Sequence, residues 1–158
     1  MASIRKQIHD NAVALISLFI AVSSLAYNTW RNETTEEQRN IRHASFQVLE
    51  NLGELQQVVD TRYYYFSPGQ DSEQREGELR VAGYGHAAMI NDLMMLMPPP
   101  APMAGDALGT AWSTQFGVLD QRDGNGRPTA AAREAEQDLT EAIRAARQAV
   151  LEVLKSLE

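Results

Sequence analysis

The chain has 158 residues, with 14 Lys and Arg against 21 Asp and Glu, and its formal net charge is −7. This acidic balance argues against a nucleic-acid partner, because proteins that hold phosphate backbones need a surplus of positive charge. The absence of cysteine excludes disulfides, thiolate catalysis and cysteine-bound zinc.

An uncharged, mostly apolar run, residues 12–30, follows a short N-terminal tail of residues 1–11. A helix of about 20 apolar residues crosses the hydrocarbon core of a bilayer, and this run meets that length. Tyr27 and Trp30 near its end favour an uncleaved anchor, because amphipathic aromatic side chains prefer the membrane–water interface. The alternative is a cleaved signal peptide, since residues 24–26 (Ser-Leu-Ala) offer a small-x-small cleavage site.

The membrane orientation depends on the positive charges that flank this run. Arg5 and Lys6 precede it, whereas Arg31, Arg39 and Arg42 follow it within the range that influences insertion. The two counts nearly balance, but the dense positive charge directly before the run, together with the acidic residues after it, favours a cytoplasmic N-terminus and an exported C-terminal part. The opposite orientation, with the C-terminal part in the cytoplasm, is the alternative.

Small residues recur along one side of the apolar run. Small side chains let a second transmembrane helix approach closely, and an asparagine can hydrogen-bond across such a contact. The pattern predicts a face that binds another membrane protein or a second copy of this chain. The alternative is that alanine and serine are simply common in a weakly hydrophobic anchor. The residues of this predicted membrane face are Ala14, Ser17, Ala21, Ser24 and Asn28.

The segment after the anchor is predicted to remain helical. Residues 31–40 contain no apolar residue, Gly or Pro, and are typical of a solvated helical stalk. From Ile41 a heptad alternation indicates a bundle helix, which Pro68 and Gly69 are predicted to end. One core position of this heptad holds Ile41, Val48, Leu55 and Arg62, and the other holds Ser45, Leu52, Val59 and Phe66.

A second helix is predicted over residues 73–97, weakened by Gly77, Gly83 and Gly85. The proline-rich residues 98–102 should end it and form a stiff, extended connector. The buried face of this helix is predicted to contain Leu79, Ala82, His86, Ile90, Leu93 and Met97. The methionines Met89, Met94, Met95 and Met97 are interpreted as adaptable core filling.

Two further helices are predicted in the last third of the chain. Asp106 is expected to cap the first of them, and Pro128 and Thr129 open the second. The inward face of the first is predicted to hold Leu108, Trp112, Phe116 and Leu119. The inward face of the second is predicted to hold Leu139, Ile143, Ala146, Val150, Val153 and Leu157.

These elements predict an all-α protein: a transmembrane helix over residues 12–30, a stalk over residues 31–40, and a helical bundle over residues 41–158. Four helices joined by short connections favour an up-down four-helix bundle, in which neighbouring helices are antiparallel.

No motif in the chain indicates catalysis or a bound cofactor. Residues 121–126 resemble the start of a calcium-binding loop. However, Gln121 replaces the first aspartate and Ala132 replaces the bidentate glutamate, so a helix–helix turn is predicted instead. The histidines have no metal-ligand spacing, and no serine lies in a nucleophile elbow. We therefore expect no catalytic residue, no metal, no cofactor and no small-molecule ligand.

Consecutive aromatic residues, 63–66, form the one concentrated aromatic feature. Four consecutive helical residues point around a full turn, so they cannot all enter one core. We expect Tyr64 and Tyr65 to be exposed at the end of the bundle farthest from the stalk. Exposed tyrosines bring apolar area with a polar group, so they form a possible second partner surface.

The stretches LISLFIAVSSLAYNTWRNE, NIR-x-ASF-x-VL and LGELQQVV resemble short proteobacterial proteins of unassigned function, over residues 15–59. This resemblance implies a bacterial membrane-anchored protein, which we would place in the inner membrane with the bundle in the periplasm. We interpret the chain as a non-enzymatic accessory subunit of a membrane protein assembly. The alternative is a membrane-anchored ligand-binding bundle, sensor-like or chaperone-like, that needs a partner for output.

Overall fold

The structure is a computed structural model that describes residues 11–65 and 72–157. Across these residues the protein is all-α, as predicted, with an isolated bridge between Arg122 and Pro128 as the only β-type pairing described. The chain divides into an N-terminal unit, Met1–Asn40, and a C-terminal unit, Ile41–Glu158. The helices are α1 (Ala12–Asp60), α2 (Ser72–Met95), α3 (Ala101–Gln115) and α4 (Ala130–Ser156).

From Ala12 onward the described part of the N-terminal unit is helical, as predicted for the anchor and the stalk. No Gly or Pro interrupts α1 before Gly53, so nothing in the sequence breaks its backbone hydrogen-bond ladder. In the stalk, the Thr34 hydroxyl donates to the carbonyl of Trp30 at 3.0 Å. Arg39 and Glu36 form an exposed ion pair at 2.5 Å.

The C-terminal unit begins at Ile41, the residue at which the heptad pattern starts. The heptad prediction for α1 is confirmed at Val48, Leu52, Leu55 and Val59, which are fully buried, whereas Ile41 is only half-buried. A π-helical turn, Thr61–Tyr65, follows α1 and contains the buried Arg62. Phe66 and the predicted helix end at Pro68 and Gly69 lie outside the described residues. The buried residues of α1 are Ser45, Val48, Leu52, Leu55, Val58 and Val59.

The buried face of α2 differs in part from the prediction. Ala82 is exposed, whereas Gly83 is buried against α3. A Cβ atom at Gly83 would overlap the indole ring of Trp112, so this position needs glycine. The predicted face is wrong at Ala82. The large indole of Trp112 on α3, rather than the local periodicity, determines which residues of α2 face the core. His86 is half-buried as predicted, with Nδ1 at 2.9 Å from Oδ1 of Asn51.

The methionines of α2 and its C-terminal end separate into two groups. Met94 and Met97 are buried in the core, as predicted. Met89 and Met95 are exposed, so their interpretation as core filling is wrong. Both lie on the outer side of the helix, where no neighbouring helix covers them among the described residues.

The proline-rich connector is shorter than predicted, because α3 begins at Ala101 with a proline in its first turn. Proline suits this place, since the first backbone N–H groups of a helix have no intrahelical acceptor. Pro102 therefore starts a helix rather than prolonging an extended segment, and Asp106 lies within α3 instead of capping it. The predicted inward face is confirmed, because Leu108, Trp112, Phe116 and Leu119 are all buried.

The segment between α3 and α4 is a turn, as predicted. The Asp123 carboxylate accepts the backbone N–H groups of Asn125 at 2.8 Å and Arg127 at 2.9 Å. Gly126 has a φ of 75°, a conformation that favours glycine. Thr129 then caps α4, its Oγ1 accepting the N–H of Ala132 at 3.1 Å.

The apolar stripe of α4 is buried as predicted, except that Leu157 is only half-buried. On the side of α1, Gln56 donates to the Thr140 hydroxyl at 3.2 Å and Arg42 donates to the Leu157 carbonyl at 2.9 Å. The earlier residue of α1, Arg42, thus meets the end of α4, and the later one, Gln56, meets an earlier residue of α4, which makes these two helices antiparallel.

Candidate functional site

The apolar segment is the first candidate site. Its large side chains, among them Phe19 and Leu25, are exposed around the helix rather than buried in a core. Within the described residues, the helix that begins at Ala12 is the one that is long and apolar enough to cross a membrane. The predicted membrane face, residues Ala14, Ser17, Ala21, Ser24 and Asn28, lies on this exposed helix.

The second candidate is an arginine cluster at the end of α1, which we define as Arg62, Glu76, Phe116 and Asp120. The side chain of Arg62 is only 2% exposed. Its Nη2 lies 3.3 Å from Oε1 of Glu76 and 3.2 Å from Oδ1 of Asp120. Its guanidinium carbon lies 4.1 Å from the centre of the Phe116 ring. The buried charge is thus compensated by two carboxylates and an aromatic face.

Three segments that are distant in sequence supply this cluster. Arg62 comes from the π-helical turn, Glu76 from α2, and Phe116 from the 3₁₀ turn that follows α3. Phe116 also stacks on Trp112 with ring centres 4.6 Å apart, and Tyr84 meets both rings edge-on at 6.0 Å. Ring pairs of this geometry are favourable beyond their buried area. The cluster therefore joins α1, α2 and α3 at one end of the C-terminal unit.

The electrostatics of the cluster favour charged pairs over proton transfer. A hydrogen bond from Arg80, at 3.0 Å, lowers the pKa of Glu76, and the positive charge of Arg62 lowers it further. Glu76 therefore stays ionised at neutral pH, whereas a general acid or base needs a pKa near the working pH. The cluster holds the π-helical turn, α2 and the segment after α3 together. Its carboxylates, Glu76 and Asp120, are already paired with arginines.

Tyrosines 63–65 follow directly on this cluster. Tyr63 is buried, and the Arg122 guanidinium both donates to its carbonyl and lies 5.7 Å from the centre of its ring. Tyr64 and Tyr65 are 62% and 73% exposed, which confirms the predicted exposure. The negative charge of Glu136 raises the pKa of Tyr64, so its hydroxyl remains protonated at neutral pH. Their use as a partner surface stays a prediction.

The buried ion pairs of Arg62 were missed by sequence reasoning. One signal was present: a charged residue at a core position of the heptad needs a buried partner. The sequence pattern does not show which carboxylates supply it, because Glu76 and Asp120 lie in other segments. The described residues contain no group of three His, Cys, Asp or Glu that could hold a metal ion.

No family model, curated protein or solved structure matches the chain. The class of protein is therefore defined by the fold: within the described residues it is an all-α protein with four helices and one candidate membrane span.

Proposed function

We propose that the chain is a non-enzymatic, single-pass protein of the bacterial inner membrane that acts as an accessory subunit of a membrane protein assembly. Residues 12–30 would cross the bilayer, and the C-terminal unit would be an up-down four-helix bundle on the periplasmic side. The observation that carries this proposal is the apolar helical segment whose side chains are exposed.

The exposed segment supports a membrane location for a physical reason. Apolar surface in water costs about 25 cal/mol per Å², so a helix that is apolar on every side needs hydrocarbon or protein around it. The rings of Tyr27 and Trp30, with centres 6.1 Å apart, lie together at the end of the segment. Aromatic pairs of this kind suit the headgroup region of a bilayer.

The packing of the C-terminal unit supports the bundle topology. Opposite ends of successive helices meet: Arg62 with Glu76 between α1 and α2, and Gln115 with Asp138 between α3 and α4. Together with the antiparallel contact of α1 and α4, these contacts agree with an up-down arrangement.

Two features support an interaction role rather than a chemical one. The predicted membrane face combines small residues with Asn28, a composition that favours contact between transmembrane helices. In the C-terminal unit, the buried or half-buried polar side chains Arg62 and His86 bond to neighbouring helices, and thereby stabilise the fold. The proposed partner is another membrane protein or a second copy of this chain.

Intact-mass analysis of protein extracted from membranes tests the anchor. We expect the full-length mass, with the protein retained in the membrane fraction after an alkaline wash. A mature N-terminus at Tyr27 would contradict the proposal, because it would show that the segment is a cleaved signal peptide. A tag fused after Glu158 tests the orientation. If the C-terminal unit lies in the periplasm, as proposed, the tag should be labelled from the periplasm and not from the cytoplasm.

A further inference from the structure

A groove runs between α1 and α4 on the surface of the C-terminal unit. Its volume is about 270 Å³, and its walls are Gln56, Thr140, Ile143, Arg144 and Arg147. An adjoining hollow of about 310 Å³ shares Thr140 and Arg144 and adds Glu136, Gln137 and Glu141. We call the first of these the α1–α4 groove.

The neutral polar groups of the α1–α4 groove already have partners. The Gln56 amide donates to Oδ1 of Asp60 at 2.8 Å and to the Thr140 hydroxyl at 3.2 Å. That hydroxyl in turn donates to Oε1 of Glu136 at 3.3 Å. The carboxylates of Asp60 and Glu136 therefore accept hydrogen bonds from Gln56 and Thr140, and neither pairs with the arginines of the groove.

The two arginines have no such partner. Among the described residues, no carboxylate oxygen lies within 4.0 Å of the guanidinium of Arg144 or Arg147, whereas Arg62 has two such partners and Arg80 has one. Arg144 and Arg147 are three positions apart on α4 and so lie side by side on its surface. Two adjacent guanidinium groups repel each other, and an anion between them removes this repulsion. Their planar donor forks match the oxygens of a phosphate or a carboxylate.

The carboxylates of the adjoining hollow restrict where an anion can lie. Glu136 is eleven positions before Arg147, a separation of about 16 Å along a helix. Glu141 is six positions before Arg147, or about 9 Å. On the other side, Glu152 is five positions after Arg147, or about 8 Å, so an anion meets the least repulsion between Arg144 and Arg147 rather than beyond either of them.

We infer that the α1–α4 groove binds a small oxyanion, a phosphate or carboxylate group, between Arg144 and Arg147. This site goes beyond the proposed accessory role and lies outside the membrane segment. The oxyanion is either that of a soluble metabolite or that of an anionic lipid headgroup, which present the same oxygens to the two arginines.

Calorimetric titration of the full chain in neutral phosphatidylcholine nanodiscs tests this site, with inorganic phosphate and glutarate as probes. We expect saturable binding of at least one probe. The double variant Arg144→Gln/Arg147→Gln should bind it about tenfold more weakly or worse, because charge-assisted hydrogen bonds supply most of the affinity. Arg75→Gln removes an exposed positive charge on α2 and should leave the affinity unchanged.

Two results would overturn the inference: no saturable binding of either probe, or equal affinity in the double variant and the wild type. Both arginines are exposed, so the double variant should keep the wild-type thermal transition, which circular dichroism checks. Adding phosphatidylglycerol to the nanodiscs distinguishes the two sources. Weaker apparent binding of the probe would assign the site to a lipid headgroup, and unchanged binding to a soluble oxyanion.

Discussion

The apolar residues of the N-terminal segment and of α4 lie in opposite environments, although both segments are helical. In residues 12–30 the large apolar side chains point in all directions and are exposed. In α4 most of them occupy one stripe and are buried, with Leu151 as an exposed exception, while charged residues cover the other side. A one-sided stripe lets helices form a core in water, whereas an apolar surface on every side needs hydrocarbon or another protein. Substitutions that act on only one of the two regions test this difference.

The largest effect is expected from a charge placed in the buried stripe. Leu52→Asp and Val150→Asp each put a carboxylate where the wild-type side chain is fully buried. Each should cost about 4 kcal/mol or more and unfold the C-terminal unit. Circular dichroism melts would then lose their cooperative transition. Tyr64→Ala and Arg144→Ala, at exposed positions, should melt like the wild type, and similar behaviour of the two pairs would contradict the core assignment.

Removal of the buried arginine should have the next largest effect. Arg62→Met leaves Glu76 and Asp120 without their shared cation, and breaking a buried pair in this way costs about 3 kcal/mol. Arg80→Met removes an exposed partner of the same glutamate and should cost less than about 1 kcal/mol. Denaturant titration measures both. Equal losses of unfolding free energy in the two variants would show that the burial of Arg62 does not strengthen its ion pairs.

A pair of glycine variants tests the close contact between α2 and α3. Alanine normally stabilises a helix interior over glycine by about 1 kcal/mol. Gly85→Ala should show this gain, because its Cβ would meet no atom within 4 Å. Gly83→Ala should instead destabilise by about 1–3 kcal/mol, because its Cβ would collide with the Trp112 ring. A gain in melting temperature for both variants would rule out this packing.

A smaller effect is expected from protonation of Glu76, which should lower the stability of the folded state at acid pH. Arg80 and Arg62 lower the pKa of Glu76, so the ionised carboxylate stabilises the folded state above the pKa it has when unfolded. This contribution is lost as the pH falls through the lower, folded pKa. Melting temperatures measured from neutral to acid pH should decline, and Glu76→Gln should flatten part of the decline. Glu78→Gln, two positions away, should not; equal curves for the two variants would remove Glu76 as a cause.

Substitutions on the predicted membrane face should leave folding unchanged and alter association. Ser17→Leu and Ala21→Leu would separate two packed helices by a side chain, without making the segment less apolar. Ser23→Leu and Ala26→Leu make the same changes on the opposite side of the helix. Cross-linking in membranes to a partner or a second copy should weaken only in the first pair. Equal cross-linking in both pairs would leave the segment as a passive anchor.

The helices α1, α3 and α4 could be predicted because their signals are local. Heptad spacing identified their buried faces, and Thr129 marked the start of α4 within one turn. Local signals did not suffice at the proline-rich segment, where a proline opens α3 instead of preceding it. The exposed tyrosines were also predictable, since consecutive helical residues cannot share one face.

By itself the sequence determined the all-α class, the apolar segment and the inward faces of three helices, because periodicity and capping depend on residues a few positions apart. Only the tertiary structure decided the register of α2, the partners of Arg62 and the groove between α1 and α4. Each of these depends on residues far apart in sequence, such as Trp112 against Gly83 or Asp120 against Arg62. Such contacts follow from how the helices pack, and the pattern within one helix does not contain that information.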